Sequence, residues 1–291
     1  MEHGTVTTPQ ATLAYRRRTS SGAPTLLLLH GITDGGAVWT RVADALADRF
    51  DIVMPDARGH GASARLAADP TVEALVEDAA AIVEALDLGP VLVWGHSMGA
   101  ETAARLAAAR PDLVRGLILE DPPFAAEPAD DASGATTDDP HLRAFIELLS
   151  SVREMSDQER LAMARRENPG WHEDELAPWA QTKAQLDHRA LALLDGGLGR
   201  AWRAALEGIE CTTLLVTGDP ERGAIVTPEV ASEAATVLRH GQVRHIAGAG
   251  HSIHRDRFAD ALAAAAGLLD RIVPPTGGTG GAARHADTMK I

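Results

Sequence analysis

The chain is short of several things, and each shortage narrows what it can be. Of its 291 residues only Cys211 is a cysteine. That excludes an internal disulfide and makes a reducing, cytoplasmic setting the expectation. Cys211 opens an apolar, strand-like run, where a thiol is expected to be buried and inert rather than a nucleophile. Basic residues number 27 against 41 acidic ones, a formal net charge of −14. Such a balance argues against nucleic acid or an anionic membrane surface as a partner. No apolar run approaches the roughly 18 residues a membrane span needs, and Met1–Gln10 is polar and threonine-rich. Neither a signal peptide nor a membrane segment is expected. Close His/Cys/carboxylate spacing of the kind zinc requires is also missing, so neither metal nor cofactor is expected.

What is present is an ordinary globular composition, 45% hydrophobic and 23% charged, in a chain long enough for one α/β domain with an insertion. Short apolar runs at Leu13–Arg17, Thr25–His30, Ile52–Pro55, Val91–Trp94, Leu117–Glu120, Thr213–Thr217 and Val243–Ile246 predict strands. Helical patterns follow or separate them at Val38–Asp48, Val72–Leu86, Met98–Ala109, Pro228–Leu238 and Arg257–Ile272. Fully apolar strands such as Leu26-Leu27-Leu28-Leu29 predict burial on both faces, hence a mostly parallel, doubly wound α/β sheet. Ligands in such sheets bind at the carboxyl ends of the strands.

One interval breaks the alternation. From 122 to 208 the patterns are helical only, interrupted by proline and glycine, and this predicts an inserted helical cap between core segments 1–121 and 209–273. Its acidic first part, Glu127–Pro140, reads as solvated loop. Trp171, Trp179 and Trp202 lie in the remainder, three of the five tryptophans in the chain. They are candidates for a dry, apolar substrate wall, though packing within the cap would explain each as well. The tail 274–291, rich in Gly, Pro, Thr and Ala, is expected to be disordered.

The chemistry concentrates at Gly95-His96-Ser97-Met98-Gly99, between the strand Val91–Trp94 and the helical run that follows. Strand, sharp turn and helix around G-x-S-x-G are what a nucleophile elbow requires, and they present the Ser97 hydroxyl above the sheet. A serine needs a base and an orienting acid, which in elbow enzymes follow in the order Ser, acid, His. His251, in Gly248-Ala249-Gly250-His251-Ser252 after the last strand, is the candidate base, with His254 as understudy. For the acid, Asp219 is favoured because it ends its strand directly before the rigidifying Pro220; Asp121 and Glu221 stay open as alternatives. Backbone N–H groups of Met98 and Ile32, the latter in His30-Gly31-Ile32, are the candidate oxyanion donors. His30, His60 and His96 read as loop-holding residues.

Together, His30-Gly31, the stretch Asp56-Ala57-Arg58-Gly59-His60-Gly61-Ala62-Ser63, the elbow and Gly250-His251 resemble the α/β-hydrolase superfamily over roughly Leu26–Ile272. The resemblance implies serine hydrolase chemistry without a cofactor. Much of that superfamily places its acid where Glu221 stands here, whereas some lactonases use an acid after the strand preceding the cap, the place of Asp121. The loop Arg222–Pro228 is also longer than usual. The expected activity is hydrolysis of a small apolar carboxylic ester, lactone or thioester through an acyl-enzyme. Alternatives are a C–C hydrolase or perhydrolase using the same triad, and a hydrolase-like protein that senses a ligand. Monomer and homodimer both remain open.

Overall fold

In the computed structural model, residues 1–124, 140–194 and 197–273 are described, so the loop expected at Glu127–Pro140 lies outside them except for Pro140, which begins a helix, and the tail 274–291 lies outside them entirely. Eight strands form one sheet: β1 (Glu2–Thr7), β2 (Thr12–Arg18), β3 (Thr25–Leu29), β4 (Asp51–Pro55), β5 (Val91–His96), β6 (Val114–Glu120), β7 (Thr212–Thr217) and β8 (Gly241–His245). Their spatial order is β1-β2-β4-β3-β5-β6-β7-β8. Strands β3 to β8 run parallel, and β1 and β2 add an antiparallel edge. Strand β1 is absent from the sequence reading because its polar composition hides it. Its residues pair with β2 from Glu2↔Arg17 to Thr7↔Thr12, and only Val6 is buried.

Among the described residues ten α-helices accompany the sheet: α1 (Thr40–Leu46), α2 (Val72–Ala85), α3 (Met98–Ala109), α4 (Pro140–Glu154), α5 (Asp157–Glu167), α6 (Glu173–Gln185), α7 (Trp202–Glu207), α8 (Pro228–Val237), α9 (Ile253–Asp256) and α10 (Phe258–Ile272). Period-two alternation divides the apolar strands between two cores. Leu27, Leu29, Val93, Leu117 and Leu119 face Ile82, Val83, Ala103 and Ala104 of α2 and α3. On the opposite face, Leu26, Leu28, Leu92, Trp94 and Ile118 meet Val42 of α1 and Ala265, Leu268 and Leu269 of α10. The central strands β3 and β4 are buried at every position, whereas the edge strand β8 is largely exposed.

Between β6 and β7 the described residues are helical: α4, α5, α6, a 3-10 segment His188–Leu194, and α7. Trp202 corrects the sequence expectation of a substrate wall. It is 1% exposed, stacks on Phe124 with ring centroids 5.0 Å apart, and belongs to the α2/α3 core. Its ring is taken up by this packing.

Candidate active site

The turn from β5 to α3 forces the backbone of Ser97 to φ 54° and ψ −120°, a strained conformation for a residue with a Cβ. Two glycines make the turn sterically feasible. A Cβ on Gly99 would stand 2.2 Å from the Leu29 carbonyl oxygen, and one on Gly95 would stand 2.3 Å from that of Gly99. Ser97 occupies the N-cap of α3, yet its hydroxyl makes no capping bond, so the bland explanation for a serine at a helix start does not hold. Its N–H donates to the Glu120 carbonyl at 2.9 Å, which sets the end of β5 beside the end of β6.

Asp121 stands at that neighbouring end, at φ 39° and fully buried. Its Oδ2 accepts from His251 Nδ1 at 2.6 Å and from the Ile225 N–H at 2.8 Å, while Oδ1 accepts from the Val226 N–H at 3.0 Å. Asp219, favoured from the sequence, does not reach His251. Its carboxylate accepts from the Gly248 N–H at 2.7 Å and pairs with His245 Nε2 at 3.0 Å. It therefore secures the turn that precedes His251. Glu221 is exposed on the 3-10 turn that follows Asp219. The physical reason for the exchange is the loop after β7, whose two successive N–H groups point back at β6 and satisfy the carboxylate there.

His251 is held from several sides. Its carbonyl accepts from His96 Nε2 at 3.0 Å, and the two rings lie 4.6 Å apart. Burial, aided by the proximity of His251, keeps His96 well below the usual histidine range and hence neutral. Three residues on, His254 is fully buried, and both its N–H and its Nδ1 donate to Glu120 Oε1, at 3.0 and 2.7 Å. Glu120 Oε2 accepts from Trp94 Nε1 at 2.9 Å, and Trp39 stacks on His254 at 4.3 Å. Burial alone would raise the Glu120 carboxyl, but attraction and hydrogen bonds to His254 hold it at about 2. This second histidine–carboxylate pair beneath the first was missed from sequence. Adjacent carboxylates in Glu120-Asp121, matched by His251 and His254 three apart, were its signal.

The loop after β3 presents Ile32. The carbonyl of the Gly31–Ile32 peptide accepts from His30 Nδ1 at 2.8 Å and from the Asp34 N–H at 3.0 Å. With that oxygen fixed, the N–H of the same planar unit must point the opposite way. The next carbonyl, of Ile32, meets His60 Nε2 at 2.7 Å. His30 Nε2 accepts from the Ala57 N–H at 3.0 Å, which makes Nδ1 its protonated nitrogen; burial, reinforced by His60, lowers His30 to about 4. Gly31 abuts the elbow, for a Cβ there would lie 3.4 Å from Ser97 Cβ. The Met98 N–H, at the first position of α3, belongs to the turn that has no intrahelical acceptor.

Side chains from the segment between β6 and β7 pack with Ile32 and Met98. Ile32 and Met98 pack with Leu193, and Ile32 packs also with Leu149, Leu186 and Leu191. None of the three tryptophans is in these two clusters. Trp179 packs edge-on against Trp171. Trp171 donates from Nε1 to Asp256 at 2.6 Å and borders, with His251, Ser252 and Arg222, an open groove of about 480 Å³. Cys211 is half-buried, and burial lifts its thiol to about 11, so it carries no thiolate. Among the described residues no cluster of three or more His, Cys, Asp or Glu is arranged to hold a metal, and no helix is long and apolar enough to cross a membrane.

Known proteins share this arrangement of chain. Lipase LipV of Mycobacterium tuberculosis (strain ATCC 25618 / H37Rv) is 33% identical over 232 residues, which cover 78% of this chain and 77% of the lipase. Crystallographic E-2-(acetamidomethylene)succinate hydrolase superposes with a TM-score of 0.78 at 23% identity, covering 92% of this chain and 99% of that one. The enol-lactonase from Burkholderia xenovorans LB400 superposes with a TM-score of 0.71 at 20% identity, covering 91% and 99%. The family model described as alpha/beta hydrolase fold matches residues 24–258, from the start of β3 to the start of α10. With the elbow, the parallel sheet and the loops at its carboxyl ends all inside that match, the chain belongs to the α/β-hydrolase fold family.

Proposed function

We propose that the protein is a serine hydrolase that cleaves a carboxylic ester, lactone or thioester of a small apolar substrate through an acyl-enzyme. The observation that carries this reading is the 2.6 Å bond between His251 Nδ1 and the buried Asp121, set beside a strained serine whose hydroxyl does not cap its helix. With Nδ1 engaged, Nε2 is the nitrogen left to take the Ser97 proton. Ser97 Oγ then attacks the acyl carbon, and the resulting oxyanion is held by the N–H groups of Ile32 and Met98. The imidazolium, steadied by Asp121, gives its proton to the leaving oxygen or sulfur. Water, activated by the same imidazole, then cleaves the acyl-enzyme and restores Ser97. The leucines around Ile32 and Met98 support an apolar acyl group, and similarity to a lipase supports an ester.

A second reading, hydrolysis of an amide-like or C–C bond by the same residues, draws support from the likeness to a hydrolase of (E)-2-((N-methylformamido)methylene)succinate in Acinetobacter baylyi (strain ATCC 33305 / BD413 / ADP1), 25% identical over 231 residues. A panel of short-chain nitrophenyl esters, lactones, thioesters and enamides separates the two. Ser97→Ala should abolish turnover of the preferred class while leaving the melting temperature within a few degrees. Ester turnover that survives in this variant would remove Ser97 from the mechanism.

A further inference from the structure

A buried charged cluster lies beside the loop that carries Ile32. Asp34 is 3% exposed and is shared by two cations from distant parts of the chain. Lys183 of α6 donates to Asp34 Oδ1 at 2.8 Å, and Arg255 of α9 donates to Oδ2 at 2.8 Å. Burial opposes ionisation of Asp34, but Arg255 and Lys183 together hold it well below the usual carboxylate range. Lys183 has two further acceptors, the Thr33 carbonyl at 2.9 Å and Thr33 Oγ1 at 2.8 Å. Its three protons thus meet three oxygens on two consecutive residues.

These contacts complete the restraint of the loop. The Gly31 carbonyl is held by His30 and the Asp34 N–H, the Ile32 carbonyl faces His60, and the Thr33 carbonyl is held by Lys183. Of these clamps, only Lys183 comes from the inserted helices. Its neighbour Thr182 presses on the same loop, since a Cβ on Gly35 would lie 3.1 Å from Thr182 Cγ2. At the other end of α6, buried Glu175 pairs with Arg41 of α1 at 3.6 Å, so the helix is tied to the core twice. Apolar side chains would fill the space around Asp34 at lower desolvation cost, and breaking such a pair costs more than its presence stabilises. A buried ammonium whose three hydrogen bonds all go to Thr33 and Asp34 therefore points to a role in placement.

We infer that Lys183 is a positioning residue of the inserted helices, which fixes the Thr33–Asp34 backbone and through it aims the Ile32 N–H at the developing oxyanion. The inference rests on the serine hydrolase reading above. It predicts that α6 contributes to the rate through the loop, with no contact to the substrate.

Lys183→Met tests it, because Asp34 keeps Arg255 as a partner and no unpaired charge is left buried. Thr33→Val removes one of the three acceptors while leaving the Lys183–Asp34 pair, and it decides the matter if the first variant fails to fold. Both would be assayed well below their melting temperatures with the preferred ester and with a trifluoromethyl ketone that captures Ser97 as an oxyanion adduct. For Lys183→Met, kcat and ketone affinity should fall together by about 10- to 100-fold, with KM within about twofold; Thr33→Val should show the same pattern at smaller size. Folded variants with unchanged kcat and ketone affinity would overturn the inference, reducing Lys183 to a latch for the fold. So would a raised KM at unchanged kcat, which would make the lysine part of the substrate pocket. Failure of the underlying reading looks different, because the wild-type protein would then neither turn over the ester nor bind the ketone.

Discussion

Two carboxylates near His251 have different tasks, and their hydrogen bonds divide them. Asp121 is fully buried and meets Nδ1 of the imidazole, whereas Asp219 supports the Gly248 turn and His245. Asp121→Asn should therefore lower kcat on the preferred substrate by about 10⁴-fold, the scale set by loss of the correct tautomer. Asp219→Asn should keep kcat within about tenfold, because it loosens a turn and leaves the imidazole its partner. Steady-state kinetics of the two variants side by side check this, and the reverse ranking would return the role to Asp219. Strain points the same way. Of the four non-glycine residues with positive φ among those described, two are Ser97 and Asp121, at the ends of adjacent strands.

Among the elements, α7 and α6 carry tryptophans that the sequence could not tell apart. Trp202 of α7 stacks on Phe124 inside the core, while Trp179 of α6 lies under the Lys183 ammonium, 4.6 Å from its ring centre. Trp202→Ala should destabilise the protein by about 3–5 kcal/mol in urea titration, with KM and kcat of the remaining folded protein unchanged. A selective rise in KM would place Trp202 in the pocket after all. The limit of the sequence is local here. Strand and helix periodicity located β3 to β7 and α3 within a few residues, and the turn motif placed Ser97 between β5 and α3. What a tryptophan packs against depends on a partner far along the chain, as Phe124 is from Trp202, and no periodicity encodes it. The ranking of Asp219 over Asp121 as partner of His251 went astray for a similar reason, since the Ile225 and Val226 N–H groups that hold Asp121 carry no side-chain signature. Strand β1 escaped because a two-stranded edge exposed to water needs only Val6 inside.

At the scale of the whole molecule, buried histidines link stability to pH. His30 is held at about 4 by burial and His60, and His96 is held well below its ordinary value by burial and His251. Below the unfolded value near 6.5, the unfolded chain takes up protons that these folded side chains refuse, so stability falls with pH. The loss should begin near pH 6.5 and continue to about pH 4, at up to about 1.4 kcal/mol per pH unit for each such histidine. Glu120 adds a stabilisation that is present in full above about 4.5 and is lost as the pH falls toward 2. Urea midpoints measured from pH 7.5 to 4 should decline through this window, and His30→Gln should make the decline shallower. A flat midpoint would show that these histidines already carry protons in the fold.

The loop after β7 has a consequence for how such a site could be rebuilt. Its backbone reaches across one strand spacing, about 4.8 Å, to hold a carboxylate that sprouts from β6. On the proposed reading, loop length would then act as a ruler for the strand end that carries the partner of His251. An engineer who moves the aspartate to the end of β7 must also shorten residues 222–228, or the cradle will remain aimed at an empty place. Conversely, a hydrolase of this fold with its acid after β7 could be given a second address by lengthening that loop before any carboxylate is introduced.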